Sequence, residues 1–163
     1  MVFTIRKMKL EDIKQVQDVA KTSWNSTYAG IIPSEIQEQF LRFAYNEEQM
    51  KQRLERSFLF VAEVESEVVG FANFSKVKEN GTAELGAIYL YPEYQNKGIG
   101  SALLQEGIKE LKGVKEIYIN VERDNNIGKT FYEAKGFMVV KEFDDDFEGH
   151  ILKTVRMVLQ LQN

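Results

Sequence analysis

No cysteine occurs in the 163 residues, only one histidine, His150, and only two prolines, Pro33 and Pro92. Without cysteine there is no disulfide, no thiolate zinc site and no cysteine nucleophile. A single histidine excludes a multi-histidine metal centre. It also leaves a Ser–His–Asp hydrolase with one possible base, in a chain that has no Gly-x-Ser-x-Gly elbow; His150 reads as a surface or edge-strand residue. No apolar run approaches the roughly 18 residues of a membrane helix. The N-terminal Met1 to Arg6 reads as a strand and not as a signal peptide, because a charge follows almost at once. The expected location is cytoplasmic, with no membrane partner. An excess of positive charge is missing too: 21 Lys and Arg against 25 Asp and Glu give a net charge of −4 and a pI near 5.2. A phosphate backbone wants a basic face, so nucleic acid is not the expected partner.

What is present is a globular composition, 44% hydrophobic and 28% charged, long enough for one core to form without staples. No repeat, low-complexity tract or linker divides it, so residues 1–163 are read as a single domain. Val2 to Arg6 alternates as a strand, and Ile13, Val16, Val19 and Ala20 recur at helical spacing. Thr27 to Pro33 reads as a loop, with Ser34 capping a helix to about Phe43 and a further helix over Glu47 to Arg56. Phe58 to Val64 and Val68 to Ser75 form a hairpin. Ala83 to Tyr91 is apolar on both faces and therefore a central strand. A helix follows from Gly98 to Leu111, then a strand from Glu116 to Val121, a helix from Asn126 to Lys135, and a closing hairpin, Phe137 to Phe143 and Ile151 to Leu161. This order predicts an α/β protein (α+β in some schemes) with a mixed sheet and helices on both faces. The unit from Ala83 to Val121 requires a parallel pair.

The segment Gln95-Asn96-Lys97-Gly98-Ile99-Gly100 joins the central strand to the helix after it. The first turn of a helix carries N–H groups without internal partners, at the positive end of the macrodipole. Two glycines let a pyrophosphate approach that bare backbone, and Lys97 adds a cation. A Walker loop is excluded because no Lys follows either glycine. A dinucleotide loop is excluded because Leu103 stands where Gly or Ala is needed.

The segment resembles the Gln/Arg-x-x-Gly-x-Gly/Ala signature of the GNAT superfamily, the GCN-related N-acetyltransferases. Upstream, Glu84 to Pro92 with Tyr94 is similar to the strand and turn that precede the family's signature. Downstream, Asn125-Asn126-Ile127-Gly128-Lys129-Thr130-Phe131-Tyr132-Glu133-Ala134-Lys135-Gly136-Phe137 resembles its Asn-x-x-Ala/Gly-x-x-Phe-Tyr-x-x-x-Gly-Phe block. The resemblance implies a three-layer fold: a mixed, mostly antiparallel seven-stranded sheet with a central splayed parallel pair. It implies acetyl-CoA as cofactor, its pantetheine against the backbone of Ile88, Tyr89 and Leu90, its pyrophosphate on Gln95, Asn96, Lys97, Gly98, Ile99, Gly100 and Ser101, and a contact from Asn125. Homodimers are common among resembling proteins, an assembly the resemblance admits.

Tyr132 matches the family tyrosine near the thioester sulfur. A phenol with a pKa of about 10 can share a proton with a departing thiolate of about 8.5. Glu84 is the expected base, because an amine with a pKa near 10 must shed a proton before it attacks. Strict alternation would put Glu84 on one face with Gly86, Ile88 and Leu90, apolar surroundings that suit a base. Direct attack of the amine in a ternary complex needs no acyl-enzyme, and a backbone N–H of Tyr89 or Leu90 could receive the developing oxyanion. Trp24 and Tyr28 lie where the family places its acceptor wall, and share a helix face if the helix extends that far. Asp144, Asp145, Asp146 and Glu148 read as an acidic loop that would be a solvated turn or would draw in a cationic amine. The expected activity is N-acetylation of a primary amine on a small molecule, such as a polyamine. The alternatives are a protein or peptide acceptor, a longer acyl chain, or a non-catalytic CoA-binding module.

Overall fold

The computed structural model describes residues 1–147 and 149–161, so Glu148 of the acidic stretch lies outside the described residues. Seven strands form one sheet in the order β1-β2-β3-β4-β5-β7-β6. They are β1 (Thr4–Lys7), β2 (Ser57–Val64), β3 (Glu67–Ser75), β4 (Thr82–Leu90), β5 (Glu116–Glu122), β6 (Met138–Phe147) and β7 (His150–Gln160). Only β4 and β5 run parallel; every other pair is antiparallel. The helices are α1 (Ile13–Tyr28), α2 (Ser34–Tyr45), α3 (Glu47–Arg56), α4 (Ile99–Glu110) and α5 (Asn126–Ala134).

Two apolar faces hold the layers together. On one, Ile99, Leu103 and Leu104 of α4 pack fully buried against Phe60, Phe74, Ile117 and Ile119 of the sheet. Each such side chain contributes about 1.5–3 kcal/mol by leaving water. On the other, Val16, Val19 and Ala20 of α1 and Met50 of α3 cover Val61, Phe71 and Ala87. The chain's N-terminal corner is fixed by a buried carboxylate: Asp12 accepts from Arg6 at 2.7 and 2.9 Å and from the Lys9 N–H at 2.7 Å. Among the described residues no helix is long and apolar enough to cross a membrane.

The structure departs from the sequence expectations at four places. α1 continues through Tyr28, where a loop was expected from Thr27. Ser34 does not cap α2: Pro33 occupies the cap, and no side chain bonds to the helix end. Asp144, Asp145 and Asp146 belong to strand β6, paired with Lys153, Leu152 and Ile151. An outer strand tolerates charge because one edge faces water, and Lys153 neutralises Asp144 at 2.8 Å.

The fourth departure bears on the site. Asn73 pairs with Ala87 but Phe74 pairs with Leu85, so Gly86 is an extra residue in β4. Such a bulge reverses which face every later side chain takes. Ala83 and Leu85 face α4, as do Ile88 and Leu90 after the bulge, whereas Ala87 and Tyr89 face α1. Glu84 therefore lies opposite Ile88 and Leu90 and shares its face with Tyr89. The expectation that it sits among Ile88 and Leu90 is corrected.

Candidate active site

The β4–β5 ladder is short. Thr82, Ala83 and Glu84 pair with Glu116, Ile117 and Tyr118, and the strands then separate. Beyond Glu84 the β5-facing edge of β4 has no strand partner, which leaves backbone groups that require one. A cavity of about 600 Å³ opens in this wedge. Its walls come from both sides of the sheet: the strand Leu85 to Leu90, the start of α4, the α5 segment, and Ser23, Trp24, Thr27 and Tyr28 of α1.

At one end stands the N-terminus of α4. Asn96 and Gly98 adopt positive φ, 61° and 85°. This succession turns the backbone N–H groups into a concavity. The first bond into the helix runs from the Ala102 N–H to the Gly98 carbonyl. The N–H groups of Ile99, Gly100 and Ser101 thus have no helix partner, and Gln95, Asn96, Gly98, Gly100 and Ser101 line the cavity there. Two expected residues do not: Lys97 is exposed outside the lining, and the Ile99 side chain is fully buried in the core.

α5 forms the second wall. Asn125 caps it, accepting from the Gly128 N–H at 2.9 Å. A Cβ on Gly128 would fall 2.7 Å from Asn125 Nδ2, so this close cap needs glycine. Tyr132 projects into the cavity, edge-on to Phe131 and near Phe137, with ring centroids 5.4 and 5.3 Å away. Burial pushes its phenol up, so it stays protonated across any working pH.

The third wall is aromatic. Trp24 and Tyr28 do share a helix face, with centroids 4.6 Å apart, and Trp24 stacks on Phe40 at 4.1 Å. Trp24 Nε1 donates to Tyr89 Oη at 2.8 Å, tying α1 to the strand beside the wedge. Burial also raises the Tyr28 phenol, with the Glu122 charge acting in the same direction and the Asn125 amide opposing them.

Glu84 lies apart from this cavity. Its carboxylate accepts two bonds from the Arg156 guanidinium, at 3.0 and 2.7 Å. Arg156 also donates to Asn120 Oδ1 at 2.9 Å, and its guanidinium carbon lies 4.5 Å from the Tyr118 ring centroid. Hydrogen bonding to Glu84 pushes the guanidinium further up. One arginine from β7 therefore spans β5 and holds β4 at the last paired residue, the apex of the wedge.

The cavity also contains residues that motif reading did not single out: Asn120, Asn126, Ile127, Thr130, Phe131 and Lys135. Those on α5 fall within the motif quoted above, where the helix period would have pointed to them. The arrangement fits coenzyme A by its own chemistry. Unpartnered helix N–H groups suit a pyrophosphate, and a strand edge without a neighbour suits an extended amide chain. Among the described residues no group of three or more His, Asp or Glu could hold a metal.

Comparison with known proteins agrees with this geometry. The Acetyltransferase (GNAT) family model matches residues 17–137. A spermidine N(1)-acetyltransferase of Thermoplasma acidophilum is 37% identical over 155 residues, covering 90% of this chain and 95% of that protein. The uncharacterized N-acetyltransferase YuaI of Bacillus subtilis is 34% identical over 157 residues, covering 93% and 90%. The crystal structure of PaiA N-acetyltransferase from Thermoplasma acidophilum in complex with coenzyme A superposes with a TM-score of 0.87 at 32% identity, over 99% of this chain and 100% of that one. The chain belongs to the GNAT acetyltransferase family and is an acetyl-CoA-dependent N-acetyltransferase.

Proposed function

We propose that this enzyme acetylates a primary amine of a small molecule, with polyamines as the first acceptor class to test, by direct attack within a ternary complex. The observation that carries the reading is the continuity of the cavity through the sheet. The same space is lined by the α4 N-terminus on one side and by Trp24, Thr27 and Tyr28 on the other. A donor laid along β4 and an acceptor entering beside α1 would meet there without an acyl-enzyme. The relative named as a spermidine acetyltransferase supports an amine of this class.

Bound acetyl-CoA supplies the activated acyl group. The chain supplies position, excluded water and placed protons. The N–H groups of Ile99, Gly100 and Ser101 would hold the pyrophosphate, with Gln95, Asn96 and Gly98 around them and Asn125 on the facing wall. The free edge of Ile88, Tyr89 and Leu90 would align the pantetheine amides and offer a donor to the developing oxyanion. Tyr132, protonated at all working pH, would donate to the departing thiolate. Glu84 would brace the wedge through Arg156.

The test has two parts. Calorimetric titration with acetyl-CoA should show one saturable site. CoA release should rise saturably with spermidine, 1,4-diaminobutane or n-butylamine. Release that stays at background with every amine would leave the protein as a CoA-binding module and defeat the proposed acceptor class.

A further inference from the structure

We propose that a polar cleft between α3 and the sheet is a second binding site, one that takes the carboxylate of a small molecule. The site itself does not depend on which amine is acetylated. Only its use by the acceptor rests on the amine-acetylation reading.

A helix that lies on a sheet turns apolar side chains towards it. In α3, Met50 and Leu54 make that contact. Beside them Gln49, Gln52, Arg53 and Arg56 fall at helical spacing and form a polar stripe. This stripe is one wall of a cleft of about 310 Å³. The strands supply the other wall, with Ser57, Asn73, Ser75, Glu84 and Gly86. No apolar side chain lines it, so its ligand is selected by charge and hydrogen bonding.

The charges point to an anion. Arg53 is half-buried and forms no ion pair among the described residues. Its guanidinium meets neutral groups: it donates to Asn73 Oδ1 at 2.6 Å and to the Ala44 carbonyl at 2.9 Å, and lies 4.4 Å from the Tyr45 ring centroid. Arg56, on the same stripe, is exposed and also has no ion pair among the described residues. A partly desolvated cation without a counter-charge is stabilised when an anion arrives. The one carboxylate in the lining, Glu84, does not serve, because Arg156 already holds both its oxygens. Two guanidinium charges opposed by that one carboxylate suit a single carboxylate better than a doubly charged phosphate. The planar fork of an arginine matches the two oxygens of such a group.

Gly86 joins this cleft to the transfer site, since it is the one residue that lines both cavities. Its backbone is not left-handed, and a Cβ there would meet only the Asn73 carbonyl oxygen, at 3.7 Å. The bulge therefore leaves open space beside Asn73, whose side chain holds Arg53. Two sources of the carboxylate fit this layout: the far end of the acceptor itself, or a separate small molecule.

Three probes distinguish them. They are n-butylamine, 5-aminopentanoate (the same chain with a carboxylate at its far end) and pentanoate, which lacks the amine. Wild type is compared with Arg56→Ala, which removes an exposed side chain, and with Arg53→Lys, which keeps the charge and loses the fork. Pentanoate is titrated by calorimetry with CoA bound, so that the α4 turn is already filled. Saturable pentanoate binding, or a kcat/KM for 5-aminopentanoate about tenfold above that for n-butylamine, is the expected result. Either should fall about tenfold in Arg56→Ala, with n-butylamine kinetics unchanged. A preference for 5-aminopentanoate assigns the carboxylate to the acceptor. Pentanoate binding without that preference assigns it to a separate molecule. Absence of both would overturn the site, and so would binding or preference that both arginine variants leave intact. Wild-type inactivity with every amine would defeat the acetylation reading alone, and the pentanoate titration would then decide the site.

Discussion

Two glutamates face the same side of the sheet, one at the last residue of β4 paired with β5 and one at the end of β5. Glu84, at the closed end of the wedge, is gripped twice by Arg156, and the pair is only partly accessible, with 38% and 23% of the two side chains exposed. Glu122, at the end of β5, accepts from one backbone N–H and forms no ion pair among the described residues, with Arg123 and Lys129 the cations nearby. A carboxylate gripped by a guanidinium has both oxygens committed to that contact. Burial pushes the Glu122 carboxyl up from the ordinary glutamate range. The same residue type thus stands in two settings, gripped by an arginine at one place and without an ion pair at the other, and the neighbours decide which.

The largest expected effect belongs to neither glutamate. Tyr132→Phe should cut kcat about tenfold or more, with acetyl-CoA affinity within a factor of two, because the phenol acts on the departing sulfur. Equal turnover in that variant would remove Tyr132 from the proton path. Glu84→Gln should lower kcat/KM for the amine only a few-fold, since a Gln at 84 still accepts from Arg156. Steady-state kinetics with spermidine decides it, and a loss of about 10²-fold would return the base to Glu84.

The contrast also explains which parts of the site were legible in the sequence. The α4 turn was legible because its chemistry belongs to the backbone, and glycines mark where backbone is exposed. Asn125 and Tyr132 were legible because they sit on one short helix at fixed spacing. The face of Glu84 was not, since a single extra residue, Gly86, reverses the alternation after it. A glycine inside a strand is a recognisable hint of a bulge, but it does not say which side gains the residue. The partner of Glu84 lies 72 residues away on β7, beyond any local pattern. The acidic run at Asp144 read as a loop by composition, but β7 supplies the pairing that makes it strand. The positions of most strands and helices were legible because apolar periodicity marks them, whereas their order across the sheet depends on pairings that no local pattern carries.

At the closed end the expected effect is smaller and falls on stability. Arg156→Leu leaves Glu84 without its cation and frees β4 from β7. With both side chains partly solvated the loss should be about 1–2 kcal/mol, a fall in Tm of roughly 2–8 °C. Acetyl-CoA affinity should fall with it, because the apex sets how far the strands separate. Denaturant melts and calorimetry check both. A variant with wild-type stability and affinity would show that the arginine braces nothing.

At Glu122 the smallest effect has the opposite sign. Burial raises the Glu122 carboxyl in the folded chain, so the folded state binds that proton more tightly than the unfolded one. Its contribution to stability is fully present below the unfolded value of about 4.3 and is lost as pH rises through the higher folded value. Near pH 7 the ionised carboxylate is therefore slightly unfavourable to the fold. Glu122→Gln keeps an acceptor for the Asp124 N–H and never ionises. It should gain a few tenths of a kcal/mol at pH 7, solvent screening keeping the gain small, and nothing below about pH 4. Melts at the two pH values measure the difference. Lower stability at pH 7 would instead mean that Glu122, like Glu84, serves the fold.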